Sequence, residues 1–180
     1  MKKSALKISV IAFMSCFICI CAQIAIPFAS VPLTLQTFAV AFCGYILGKY
    51  NGILACLVYL SLGAIGLPVF AGFAGSLAFL AGPTGGFLFG FLFLAFFCGV
   101  PSAKSSATNC FFISLIGLLI CHLFGILWFS YVSNISPIQS FLLSSLPYLL
   151  KDVLSMIFAR FLFRKVHQRL PRFSFLRNKT

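Results

Sequence analysis

The 180-residue chain is 62% hydrophobic and 8% charged, with a mean hydropathy of +1.14; soluble domains carry about 25% charged residues, so a water-soluble fold is excluded. About six membrane helices of about 20 residues each would use up the length, leaving no room for a soluble catalytic domain. The formal net charge of +12 does not indicate nucleic acid, because such a footprint is a contiguous basic face with interleaved aromatics, whereas these charges fall in short segments between apolar runs.

Lys151 apart, the basic residues sit at Lys2, Lys3 and Lys7, at Lys49, at Lys104, and from Arg160 to Lys179. Residues 8–48, 50–103 and 105–150 carry no charge. If each basic cluster is cytoplasmic, each gap crosses the membrane an even number of times, and its length suits two crossings. The fold class expected is therefore an all-α integral membrane protein of six transmembrane helices, with both termini cytoplasmic, in the inner (plasma) membrane of a bacterial cell. Residues 1–165 form the membrane domain and 166–180 a basic cytoplasmic tail.

In chain order the helices are predicted at 8–28, 34–49, 52–66, 84–101, 108–132 and 142–164. The start, "MKKSALKISVIAFMSCFICICAQ", has the basic opening and apolar run of a secretory signal. No small-x-small cleavage site follows, so it is read as a retained first helix. That helix carries the small-xxx-small step Ala12-x-x-x-Cys16, which lets a partner helix approach closely. The second and third helices are short and joined by "KYNG" at 49–52. Outer connectors are expected at 29–33, 67–83 and 133–141. The middle one belongs to "GAIGLPVFAGFAGSLAFLAGPTGG", rich in Gly and Pro yet otherwise apolar. Irregular backbone at membrane depth survives only where protein buries it or where it lines a cavity, so this loop between helices 3 and 4 is expected to fold over the bundle. Gly86-x-x-x-Gly90 in the fourth helix suits internal packing.

The eight cysteines all lie in apolar stretches and are read as small buried hydrophobes, not as metal ligands or disulfides. His122 and His167 show no sequence neighbours fit for catalysis, and His122 is expected to hydrogen-bond to an adjacent helix. No metal or cofactor is expected.

Asp152, in "SSLPYLLKDVLSMIF", is the only side-chain carboxylate in the protein. A charge at the bilayer centre costs about 2.5–3.5 kcal/mol on insertion scales, which makes such a residue a functional candidate. Adjacent helix residues point about 100° apart, so Lys151 is not expected to neutralise Asp152, which is left facing an outward cavity. Gln36, Thr34, Thr37, Tyr59, Thr84 and Tyr148 could share that cavity, with Phe70 and Phe73 as flat apolar walls. Such a pocket suits a small, largely apolar ligand with a few hydrogen-bonding groups.

"VPLTLQT", "GLPVFAG" and "GPTGGF" occur in order within residues 22–91, and this stretch resembles the BioY family, the biotin-binding S components of energy-coupling-factor (ECF) transporters. The likeness loosens towards residue 160 and does not include the basic tail. It implies a six-helix protein that captures biotin at the outer face. A separate ECF coupling protein and two ATPase subunits would drive delivery, with the face of the first helix around Ala12 and Cys16 as the docking surface. It also implies that an aspartate and a lysine in the last helix, in the pattern Pro-Phe-x-x-x-Asp-x-x-Lys, contact the vitamin. Pro147, Tyr148 and Asp152 fall on matching positions, but Ser155 stands where the lysine belongs. Lys151 lies four residues before Ser155 on the same helix stripe and is expected to substitute from one turn nearer the outside. Gly72 stands where some relatives place Asn.

The alternatives are an S component for another small vitamin and a proton-coupled carrier using Asp152. An enzyme is not expected, since no nucleophile–base pair is visible. The absence of a Gly-Lys-Ser/Thr phosphate loop leaves ATP hydrolysis to a partner.

Overall fold

The computed structural model describes residues 2–27, 32–101 and 105–169. Lys104, the tail beyond residue 169 and most of the expected 29–33 connector lie outside the described residues. The chain is mostly helical, in the order α1 (Lys2–Gln23), β1 (Ala25–Ile26), β2 (Leu33–Thr34), α2 (Gln36–Leu47), α3 (Lys49–Ala64), α4 (Leu77–Ala81), α5 (Gly85–Gly99), α6 (Ala107–Ser133), α7 (Pro137–Ser144) and α8 (Leu146–Arg169). The six predicted helices correspond to α1, α2, α3, α5, α6 and α8. One feature departs from the all-α expectation: β1 and β2 pair as a small antiparallel ribbon with Ala25 opposite Thr34. Two further short helices lie where connectors were expected, α4 within 67–83 and α7 overlapping 133–141.

Those short helices are explained by their caps. Ser76 accepts the Phe79 N–H at 3.0 Å, starting α4 inside a stretch that composition alone marks as loop. Ser136 and Gln139 form a reciprocal capping box, with Pro137 in the first turn of α7, where its missing N–H is not needed. The chain then bends by 52° between α7 and α8, so α8 starts at Leu146, later than predicted.

α2 lies at the centre. Ala39 through Tyr45 are buried without interruption, as expected of a helix apolar all round, and α2 packs on α1, α3, α5 and α8. α5 and α6 meet through glycines. A Cβ on Gly86 would strike Trp128, and one on Gly90 would sit 2.8–2.9 Å from Cys121 atoms. At the opposite end of the bundle Gly44 would place a Cβ 2.5 Å from the Ala95 carbonyl, and Gly99 would intrude on the Gly48–Lys49 backbone. Gly48 itself turns α2 into α3 with φ +78°, a conformation glycine adopts without steric cost.

Large apolar side chains remain on the outside, among them Ile8, Phe13, Phe112, Ile116, Leu119, Leu123, Leu150, Leu154 and Phe158. On α6 they recur every three or four residues, an outward apolar stripe suited to hydrocarbon rather than water. By length and apolarity, Ser4–Gln23 and Ala107–Ser133 can cross a membrane, and a third span results if the bent α7–α8 pair counts as one.

Candidate functional site

The site is built at the end of the bundle that carries the ribbon, where α1 and α3 stop and α2, α5 and α8 begin. Asp152 lies in the second turn of α8 and is 6% exposed. Its Oδ2 is 3.2 Å from His122 Nε2 on α6, and the Lys151 ammonium pairs with its Oδ1. This corrects the expectation that Lys151 and Asp152 stay apart. Adjacent helix positions do diverge, but a four-carbon stem is long enough to fold back and bring its ammonium onto the carboxylate. Lys151 also donates to the Thr34 carbonyl at 2.9 Å, tying α8 to β2. Oδ1 is itself buried, with the Lys151 ammonium directly on it.

His122, expected only to bridge helices, belongs to the site. Its Nδ1 lies 2.7 Å from Ser145 Oγ at the α7–α8 bend. A neutral ring donating from Nε2 to Asp152 accepts the Ser145 hydroxyl at Nδ1. The Phe87 ring stands edge-on to it, with centroids 5.8 Å apart. The Ser145–His122–Asp152 chain has the order of a hydrolytic triad, yet Ser145 is fully buried and is not among the residues lining the cavity. Its hydroxyl orients the imidazole; it does not present a nucleophile.

The carboxylate opens onto a cavity of about 70 Å3 lined by Thr34, Gln36, Thr37, Thr84, Tyr148, Lys151 and Asp152, with Ala71, Phe79, Phe87 and Phe91 among its apolar walls. Pockets for small organic ligands usually measure about 300–1,000 Å3, so admission of such a ligand requires a wall to give. A hydrogen-bond chain fixes the α2 side. Thr34 Oγ1 donates to Gln36 Oε1 at 2.9 Å, and Gln36 Nε2 donates to Tyr59 OH at 2.6 Å.

The remaining predicted site residues fall elsewhere. Tyr59 reaches the cavity only through Gln36. Phe70 is fully buried behind it, edge-on to Tyr59 at 5.4 Å and stacked on Phe79 at 5.3 Å, so Phe79 provides the aromatic wall expected of Phe70. Phe73 is 71% exposed, on a left-handed turn with φ +57°, and does not line the cavity. Ser155 faces a neighbouring groove with Leu35, Phe38 and Phe158, which meets the cavity only at Lys151. Gly72, with φ +73° and open space around its Cα, forms the tip of the loop. Ala12 and Cys16 are exposed on one face of α1, while Ser15 between them turns inward and donates to the Ala55 carbonyl of α3 at 2.9 Å.

The model of the BioY family matches residues 1–172. The chain belongs to the BioY family. The BioY match extends beyond the three sequence motifs in both directions, into the basic segment after residue 165. A probable biotin transporter BioY of Pyrococcus horikoshii is 37% identical over 149 residues, covering 83% of this chain and 88% of the relative. The biotin transporter BioY of Thermotoga maritima is 51% identical over 86 residues, 48% of this chain and 51% of that one. Among solved structures, the S-component for biotin from an ECF-type ABC transporter superposes with a TM-score of 0.83 at 29% identity, covering 93% of both chains.

Proposed function

We propose that the chain is the biotin-capturing membrane component of a vitamin transporter, taking biotin at the ribbon end and passing it inward with an ECF coupling protein and two ATPase subunits. One observation carries the reading: the single side-chain carboxylate of the whole chain is buried in the wall of a cavity, its charge held by Lys151 and His122. The ureido ring of biotin presents two N–H donors, which an ionised carboxylate accepts strongly in a water-poor site. Phe79, Phe87 and Phe91 suit its apolar fused ring. Nanomolar binding corresponds to about 12 kcal/mol, and one charge-assisted hydrogen bond supplies about 1.5–3. Burial beneath the 65–84 loop therefore has to provide most of the affinity. The names of the relatives favour biotin over other vitamins.

Six spans are proposed as α1, α2, α3, α5, α6 and the α7–α8 pair, with the ribbon end outside. Contacts between Tyr45 and Arg160, Tyr45 and Ser114, and Gly99 and Lys49 support placing the Gly48 turn, the α6 start and the α8 end together on the inner side; α1, whose last residue reaches the loop at the ribbon end, then starts on that side too. That arrangement places the basic clusters on one side of the bilayer, as the positive-inside rule requires. The short α2, of 12 residues, spans about 18 Å, and the ribbon and 65–84 loop complete its outer side. The deciding experiment is labelled-biotin uptake by a biotin-auxotrophic host expressing the chain with and without a coupling module. Saturable uptake supports the reading, and none in either arm removes it.

A further inference from the structure

Gln23, the last residue of α1, has a side chain engaged with the outer loop rather than with its own helix. Its Nε2 donates to the Phe70 carbonyl at 3.0 Å and the Pro68 carbonyl at 3.4 Å, and its Oε1 accepts the Phe73 N–H at 2.9 Å. The loop here is a tight hairpin closed by Phe70 N–H on the Ala74 carbonyl at 2.8 Å. Its tip runs through two positive φ values, at Gly72 and Phe73, the second being a conformation a phenylalanine seldom adopts. A side-chain amide offering a donor and an acceptor to one segment imitates a neighbouring peptide group. It supplies a backbone pairing that the isolated hairpin lacks. Between the two anchored residues lies Ala71, on the cavity wall. Directly behind, Phe70 is wedged between Tyr59 and Phe79.

We propose that Gln23 is the latch of this loop: its amide holds the 70–74 hairpin over the cavity and thereby sets how fast a captured ligand escapes. It is a positioning residue, since Gln23 is not among the residues lining the cavity. The argument rests on the biotin reading for the identity of the ligand, but the latch itself can be measured without any ligand. Releasing a loop from its backbone partners raises the frequency of its local opening. Both entry and exit pass through that opening, so dissociation accelerates more than the equilibrium affinity falls.

The test uses the full-length protein with Gln23→Met, which keeps shape and removes all three hydrogen bonds, and Gln23→Glu, which keeps an acceptor for Phe73 and turns it against two carbonyls. Two quantities are read: the dissociation rate of labelled biotin, and hydrogen exchange of the 68–76 segment in ligand-free protein. Both variants should speed dissociation about tenfold and deprotect 68–76, with exchange in α3 and α5 unchanged. Unchanged exchange in 68–76 overturns the latch, and faster exchange with an unchanged dissociation rate overturns its control of escape. If wild-type protein binds no biotin while the variants still deprotect 68–76, the latch stands and the biotin reading falls. Deprotection spread equally through α3 and α5 would mean a general loss of stability and would also overturn the proposal.

Discussion

Asp152 is held from two directions, by its neighbour Lys151 along the chain and by His122 from another helix, so its charge is supported before any ligand arrives. Replacement by Asn preserves the shape and removes the charge. Asp152→Asn should weaken biotin binding roughly ten- to a hundredfold, the equivalent of one charge-assisted hydrogen bond, without loss of fold; calorimetric titration of the purified variant checks this, and wild-type affinity would remove Asp152 from the site. Lys151→Ala should weaken binding roughly tenfold, whereas Ser155→Ala, in the adjoining groove and not on the cavity wall, should leave it unchanged. Equal effects would mean that Lys151 does not stand in for a lysine at 155. Residues of the site were legible where chemistry made them rare: a sole acid in an apolar run is conspicuous in any reading. His122 met the same criterion, an ionisable group within a membrane segment, and only the lack of partners nearby in sequence hid its place. The return of Lys151 onto Asp152 was illegible because helix angle fixes where a side chain starts, and a lysine stem decides where it ends. Phe79 took the wall expected of Phe70 and Phe73 because composition shows that a loop is aromatic but not which of its rings turn inward.

The long helices could be read from apolar runs bounded by charge, since a segment in hydrocarbon must satisfy its own backbone. α4 and α7 could not be read that way: each depends on one serine accepting a backbone N–H three residues on, a signal indistinguishable from a turn in a Ser- and Pro-bearing loop. The α5–α6 contact shows the opposite case, where Gly86-x-x-x-Gly90 indicated close packing and the helices meet there with little space for a methyl group. Gly90→Ala should therefore destabilise the protein by about 1–3 kcal/mol through overpacking, read as a lower midpoint in thermal unfolding in detergent. Because Cys121, the residue displaced, also lines the cavity, biotin affinity should fall with it. A variant as stable as wild type would show that α6 can retreat freely.

At the scale of the whole molecule, the surfaces proposed for capture and for docking lie apart. The cavity lies at the ribbon end, while Ala12 and Cys16 are exposed on the flank of α1 with Ser15 anchored to α3. Ala12→Trp combined with Cys16→Trp should leave biotin binding by the isolated chain within about twofold, as expected of exposed positions remote from the pocket, and should abolish uptake that depends on the coupling module. Loss of binding, or undiminished coupled uptake, would take the docking role from this face. The glycines at the far end of the bundle bear on how such a molecule can move. Where Gly44, Gly52 and Gly99 stand, backbone rests on backbone and there is little slack to give. At the ribbon end α5 is packed closely at Gly85 and Gly86 as well, but the outer loop and β2 are held by the Gln23 amide and the Lys151 ammonium, links that can be exchanged for water. The loop and ribbon joined by such groups are thus the jaws and the glycine-packed helices the frame, so that parting the former would admit cargo while the helices keep their grip.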